Sequence, residues 1–315
     1  MSNCKKAQHI SKCLQTAIIL EVSVQKPGNV GFGASFENTR VEHFLASAIV
    51  AGPSFQEAAY RGTAVAEGQL DVGKVGLGEL IKSCAVDIAA WQHGGNTILG
   101  TVMLLVPMAV AAGMTSTTKD FSMDFSVFRK NIDAVVRSSS ALDSVHLYEA
   151  VDVACPSGLG GAPDLDVTDP NSKERLLKEN VGLFEVFKIA AGYDDICYEW
   201  VNNYAITFDL AYPYLKQQLE RLPLNDAVVQ TFLKILAQRA DTFIARKVCA
   251  EKAQQVSAQA REVLERGGVE TEKGRKRLLK FDLKLRMSGN MCNPGTTADL
   301  TAAALALCTF GGYRP

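Results

Sequence analysis

The sequence lacks a charge imbalance. Its 315 residues include 33 Lys and Arg against 34 Asp and Glu, which gives a formal net charge of −1. Nucleic acids and anionic membrane surfaces attract proteins through clustered positive charge, so this balance argues against either partner. Any basic site must therefore be local.

Cysteine pairs and long hydrophobic runs are also missing. The eight cysteines stand singly, without a Cys-x-x-Cys pair or a Cys/His cluster at zinc spacing, so buried reduced thiols are expected. The longest apolar run, 97–113, contains Pro107 and is shorter than the roughly 20 residues that a membrane span needs. Together with an N-terminus that lacks a signal-peptide pattern, this predicts a cytoplasmic protein.

Helical periodicity dominates what is present. No stretch shows sustained two-residue alternation, and no internal repeat of about 20 to 50 residues occurs. Since 47% of the residues are hydrophobic, the sequence predicts one large all-α domain over residues 1–315, in which self-association through apolar helix faces stays open. Apolar residues at helical spacing predict helices over 5–24, 41–50, 77–91, 97–113, 127–137, 141–151, 176–190, 196–216, 226–239, 243–265 and 275–287.

One long irregular segment, 153–167, interrupts these helices. It is dense in glycine and proline and too long for a simple turn. Loops of this size are often functional, so a lid or a wall of a site is as well supported as a plain connection.

Three short loops concentrate the polar chemistry: 24–30, 94–97 and 293–299. Each abuts an apolar, helix-like run, so each is placed to offer backbone N–H groups and polar side chains at a helix start. This geometry can hold phosphates without a Walker loop. Residues 73–83 contain glycines and a Lys-Ser pair, but they do not have the Walker spacing. The site is therefore expected in inter-helix loops and helix N-termini.

The first two loops each permit a structural and a functional interpretation. In the first, Pro27 and Gly28 hold Lys26 away from the helix end, either as a solvated cation or as a phosphate ligand. In the second, Asn96 and Thr97 follow two glycines, and Asn96 either caps the next helix or exposes its N-terminus to an anion. His93, just before them, is a candidate proton donor or a structural histidine.

The third loop and a fourth segment add carboxylates and a further cation. Thr296 and Asp299 have capping-box spacing, while the functional interpretation makes Asp299 a Mg²⁺ ligand and Thr296 and Thr297 phosphate-facing hydroxyls. Asp241 and Arg246 flank a predicted helix start, where an arginine can grip phosphate. The pair Asp194-Asp195 is similar to isoprenoid-synthase metal motifs, but no second copy supports that interpretation.

In order along the chain, these segments resemble the triphosphoribosyl-dephospho-CoA synthase family. The resemblance runs nearly the whole length, and no single segment decides it. It rests on Glu21 with Lys26-Pro27-Gly28, Phe44-Leu45-Ala46-Ser47, Gly95-Asn96-Thr97 with Gly100, Asp241-Thr242 with Arg246, and Pro294-Gly295 with Ala298-Asp299-Leu300.

The resemblance implies an all-α transferase that uses ATP, releases adenine and joins the triphosphoribosyl group to a hydroxyl of dephospho-CoA. Such chemistry needs a stabilised ribosyl cation, an acid, a base and a magnesium and cation clamp on the triphosphate. The residues that we assign to it are Asp241 and Asp299 for magnesium or the ribosyl cation, Glu21 as general base, and Lys26, Asn96, Thr97, Arg246, Thr296 and Thr297 for phosphate or ribose.

Departures from the family pattern leave the acceptor open. The family typically has His-Lys after Asn-Thr, where this chain has Ile98-Leu99, and this removes a cation from the expected triphosphate site. The alternatives are ribosyl transfer to another acceptor, as in methanopterin-type one-carbon cofactor synthesis, and a non-catalytic helical binding protein. Release of free adenine would indicate transfer, formation of ADP would indicate phosphorylation, and absence of turnover would indicate a binding protein.

Overall fold

The computed structural model describes residues 3–117 and 122–315. The predicted all-α class is confirmed, because strand pairing within these residues is limited to three isolated bridges. No helix among them is both long and apolar enough to cross a membrane. The α-helices are α1 (Asn3–Ser23), α2 (Val41–Val50), α3 (Gly52–Ala66), α4 (Leu77–Trp91), α5 (Leu99–Met114), α6 (Phe125–Arg137), α7 (Ala141–Ala154), α8 (Ser172–Lys178), α9 (Leu183–Ala190), α10 (Asp195–Val201), α11 (Tyr212–Leu219), α12 (Leu224–Gln238), α13 (Thr242–Lys247), α14 (Ala250–Glu265), α15 (Glu272–Arg286) and α16 (Gly295–Phe310).

Helices α5 and α16 occupy the centre of the fold. Nearly all residues of both are buried, as expected for helices that are apolar on every side. One cluster of buried apolar side chains includes residues from Ala7 in α1 to Phe310 in α16. Helix α3 packs closely on α5, because a Cβ on Gly62 would lie 1.9 Å from the Val110 carbonyl oxygen. The remaining helices surround this pair.

Proline within α5 is accommodated by two aromatic side chains. Pro107 has no N–H, so the Met103 carbonyl loses its partner within the helix. The Trp200 indole Nε1 donates to that oxygen at 3.0 Å, and the Tyr204 hydroxyl donates to the Leu104 carbonyl at 2.8 Å. Unpaired buried carbonyls are costly, so these bonds fix the α10 region against the centre of the fold.

Several predicted helix boundaries are wrong for identifiable reasons. The predicted helix 176–190 is divided into α8 and α9, since Asn180 adopts a left-handed φ of 50°. Asn203 and Tyr204, with φ of 52° and 55°, likewise end α10, and a π-helix (Ile206–Ala211) precedes α11. Asparagine tolerates this conformation and often ends helices. The predicted helix 243–265 breaks at the extended Cys249, and α3 is missing from the prediction.

Candidate active site

The starts of α5 and α16 open on one cavity of about 450 Å³. Its walls also include the end of α1 and the short helix α13. The irregular segment after α7, for which a wall of a site and a plain connection were both open, lines it as well. Polar groups from distant parts of the sequence line it: Glu21, Asn29, Asn96, Thr97, Thr101, Asp194, Arg246, Asn290, Asn293, Thr296 and Asp299.

The carboxyl group of Asp299 joins the two central helices, α5 and α16. The Thr101 hydroxyl of α5 donates to its Oδ1, so Asp299 does not close the capping box with Thr296 that its spacing allowed. A Cβ on Gly100 would lie 2.3 Å from Oδ2, so only glycine leaves room for this carboxyl. Burial raises the pKa of Asp299 to about 8, despite the opposing hydrogen bond from Thr101. Asp299 is therefore largely protonated at neutral pH.

Glu21 and Lys26 form a buried ion pair at the end of α1. Lys26 Nζ lies 3.0 Å from Glu21 Oε1 and donates to the carbonyls of Glu21 and Val24 at 2.6 and 2.8 Å. Burial raises the pKa of Glu21 and lowers that of Lys26, and in each case the partner's charge opposes the shift. Glu21 lines the cavity, whereas Lys26 is fully buried beside it and has three protein acceptors. A phosphate would have to replace one of these acceptors.

Asp241 holds α13 and α16 together. Its Oδ1 accepts from the Ile244 amide at 3.0 Å, so Asp241 is the N-cap of α13, and its Oδ2 accepts from the Thr297 amide and hydroxyl at 2.8 and 2.7 Å. Burial raises the pKa of Asp241, while these donors oppose the shift. Neither Asp241 nor Thr297 lines the cavity. Their bonds position the start of α16.

The Asn96-Thr97 loop forms another wall. The predicted N-cap Asn96 is wrong by two residues, since α5 begins at Leu99 and its N-cap is Ile98, but Asn96 Oδ1 accepts from the Leu99 amide at 3.1 Å. The Thr97 and Ser47 hydroxyls lie 2.8 Å apart and share a hydrogen bond. Both loop residues line the cavity.

Arg246 of α13 lines the cavity and is paired with a carboxylate. Its Nη1 pairs with Asp194, whose other oxygen caps α10. Thr242, one turn before Arg246, accepts from the Asp195 amide and lies 3.2 Å from the Thr296 hydroxyl. This region therefore joins α10, α13 and α16 at one wall.

The segment 155–167 covers the apolar part of the cavity. The Tyr148 hydroxyl donates to the Leu165 carbonyl, and Asp166 accepts from the Ala162 amide. A Cβ on Gly158 would lie 2.5 Å from Lys247 Cγ, so the segment crosses close to α13. Apolar side chains lie beneath it, among them Leu147, Val151, Val186, Phe187 and Ile189.

The structure thus brings some predicted residues into the cavity and leaves others behind its wall. Glu21, Asn96, Thr97, Arg246, Thr296 and Asp299 line it, whereas Lys26, Asp241 and Thr297 support these residues from behind. Sequence reasoning missed Asn29, Thr101 and Asp194 as cavity residues. Their signals were weak, although Asp194 stands in the Asp-Asp pair that was compared with a metal motif.

The charge of the lining bears on any metal or phosphate. Among the described residues, the lining contains one guanidinium, that of Arg246, against the carboxyl groups of Glu21, Asp164, Asp166, Asp194 and Asp299. The described residues include no group of three or more His, Cys, Asp or Glu placed to hold a metal ion. Asp241 has a donor on each oxygen and does not line the cavity, so of the two predicted magnesium ligands only Asp299 faces it.

Comparison with known proteins places this chain in a family. The CitG family model, described as ATP:dephospho-CoA triphosphoribosyl transferase, matches residues 7–314. A solved structure from Archaeoglobus fulgidus, provisionally described as a triphosphoribosyl-dephospho-CoA synthase, shares the fold with a TM-score of 0.60 and 22% identity, covering 86% of this chain and 100% of its own. No curated protein matches. The chain is a transferase that belongs to the CitG family of ATP:dephospho-CoA triphosphoribosyl transferases.

Proposed function

We propose that this protein transfers the triphosphoribosyl group of ATP to a hydroxyl of dephospho-CoA and releases adenine. The observation that supports this most is the placement of two carboxyl groups, the buried Glu21 and the half-buried Asp299, on one cavity of a chain that matches the family over residues 7–314. Burial raises the pKa of both groups, but only for Glu21 does a neighbouring cation, Lys26, oppose the rise, and carboxyl groups in different environments are typical of acid and base pairs.

Asp299 serves as the acid that helps adenine to leave. The bond between C1′ of the ribose and the base nitrogen breaks, and its electron pair stays on adenine. A carboxyl group that is protonated at neutral pH can give its proton to that nitrogen, so that adenine departs neutral. This role is an alternative to the metal-ligand role that the sequence predicts for Asp299.

Glu21 serves as the base. Its carboxylate faces the cavity and is held by the Lys26 ammonium, whose three acceptors favour the charged form of the pair. A carboxylate there stabilises the ribosyl cation and takes the proton of the acceptor hydroxyl as its oxygen bonds to C1′. Lys26 is then a positioning residue for Glu21.

The polyphosphate lies toward Arg246 and Thr296. Arg246 exchanges its contact with Asp194 for phosphate oxygens, which its fork geometry suits. Asn96 and Thr97 face the ribose or the α-phosphate from the start of α5, where backbone N–H groups favour anions. Asp241 and Thr297 keep α16 in register behind them.

Magnesium stays a prediction attached to ATP. In nucleotide sites this ion is commonly bound by substrate phosphates, water and one or two carboxylates rather than by a protein cage. That arrangement agrees with the sparse ligand set here and would offset the excess of carboxyl groups in the lining. No catalytic step above depends on it.

Incubation with ATP, magnesium and dephospho-CoA, followed by chromatography, tests the proposal. Wild-type protein and the Asp87→Asn control, which changes an exposed carboxylate of α4, should release adenine, and Asp299→Asn should release it about 10² to 10⁴ times more slowly. ADP in place of adenine would indicate a kinase. Nucleotide binding without turnover on any acceptor would favour a binding protein.

A further inference from the structure

A second cavity adjoins the catalytic one. It measures about 280 Å³ and lies between α4, the start of α5 and the end of α7. Residues 95–99 and Cys155 line both cavities, so the Asn96 loop is a shared wall.

The chemistry of the second cavity differs from that of the first. None of its lining residues is Asp, Glu, Lys or Arg, and the Gln92 amide is already bonded to Gly94 and Gly95 in the Asn96 loop. The other polar side chains of the lining are His93, Asn96, Thr97 and Cys155. A mostly apolar surface without Lys or Arg suits an uncharged, largely apolar group better than a phosphate. Its apolar residues are Ala85, Ile88, Ala89, Ile98, Leu99, Val102, Val153 and Ala154.

We infer that this second cavity holds the uncharged arm of the acceptor, which for dephospho-CoA is the pantetheine arm. The inference rests on the proposed function. The donor's ribose and phosphates require the polar groups of the first cavity, whereas the arm beyond its diphosphate link has two amides, a hydroxyl, two methyl groups and a thiol, and carries no charge. An acceptor that crosses the Asn96 loop can place its hydroxyl in the first cavity and its arm in the second.

Cys155 reports on occupancy without any need for turnover. It is exposed and lines both cavities, while the other exposed thiols, Cys4 and Cys249, line neither. We would measure alkylation of each thiol by iodoacetamide with mass spectrometry. The probes are S-methyl pantetheine and S-methyl dephospho-CoA, whose blocked sulfurs do not consume the reagent. Both probes should slow alkylation of Cys155 and leave Cys4 and Cys249 unchanged.

A matched pair of variants on α4 locates the arm. Ala89 and Val86, one turn earlier, are both exposed, but only Ala89 lines the second cavity. Ala89→Trp fills the cavity and should raise the KM for dephospho-CoA about tenfold, with the KM for ATP and kcat near wild type, because only ground-state binding of the arm is lost. It should also abolish the protection of Cys155. Val86→Trp should behave as wild type in both assays.

Two results would overturn the inference. One is alkylation of Cys155 in the wild-type protein at the same rate with and without either probe. The other is an unchanged KM for dephospho-CoA in Ala89→Trp. Failure of the proposed function is distinguishable, since it would appear as absent adenine release while S-methyl pantetheine still protects Cys155.

Discussion

At the scale of single residues, burial decides what each polar group can do. Asp299 is half-buried and Asp241 fully buried, and both lie close to the start of α16, yet one faces the cavity and the other has donors on both oxygens. Burial disfavours the charged form of each, but only Asp299 is placed to exchange a proton with a ligand. The two carboxyl groups therefore separate into a catalytic and a positioning role.

The protonation of Asp299 predicts the pH dependence of turnover. An acid with a raised pKa is active below that pKa and loses its proton above it, so kcat/KM should fall as the pH rises through about 8. Asp299→Asn should lose this descending limb together with most of its activity. A wild-type profile that stays level through pH 8 and beyond would remove Asp299 as the acid.

The Glu21–Lys26 pair predicts a stability effect rather than a purely catalytic one. Lys26→Met leaves a buried carboxylate without its partner, which should lower the free energy of unfolding by about 3 kcal/mol or more in urea titrations. The double variant Lys26→Met with Glu21→Gln should recover much of that loss. If Lys26 binds phosphate instead, the double variant will fold normally but lose affinity for ATP, whereas the positioning role predicts nearly unchanged affinity.

At the scale of elements, the site depends on two helix starts that meet. Helices α5 and α16 contribute Thr101 and Asp299, and the contact is close because Gly100 has no side chain. Neither helix start forms the site alone. The close approach of α5 to α16 positions the carboxyl group of Asp299.

Gly100→Ala tests this arrangement. The added Cβ would lie 2.3 Å from Asp299 Oδ2 and should displace the carboxyl, so we expect kcat to fall at least about tenfold, since misplaced catalytic groups lose much of their effect. Stability should change little, because alanine favours the helix. Gly192→Ala, at a position where a Cβ meets nothing within 4 Å, is the control. Full activity in Gly100→Ala would show that the close contact is not required.

The region from α10 to the π-helix contains another buried acid, Glu199. Its Oε1 accepts from the Thr207 amide at 2.7 Å, and burial raises its pKa from 4.5 to about 8. The folded state therefore binds an extra proton between these values, so its stability should fall by up to about 1.4 kcal/mol per pH unit as the pH rises through this window.

Glu199→Gln should lessen that slope by the contribution of one group, up to about 1.4 kcal/mol per pH unit, in urea-unfolding data collected across the window, while Asp299 keeps its own contribution. The exposed Glu220→Gln should leave it in place. Parallel pH curves for wild type and Glu199→Gln would mean that Glu199 is ionised in the folded protein.

At the scale of the whole molecule, the sequence predicted more of the local structure than of the assembled site. Helical periodicity predicted α2 and α4 with their observed bounds. The predicted cap Asn96 lies two residues before the observed N-cap of α5, Ile98. The burial of Lys26 depends on carbonyls at the end of α1 and on the surrounding packing, which no local pattern contains. Cavity residues such as Thr101 and Asp194 likewise acquire their role only through partners far away in the sequence.

The most direct test of the central claim is a product analysis with ATP, magnesium and dephospho-CoA. The account predicts equal amounts of free adenine and of dephospho-CoA enlarged by a triphosphoribosyl group, measured by chromatography with mass detection, and little of either product when the acceptor is omitted. Formation of ADP, or adenine release without an enlarged acceptor, would contradict it.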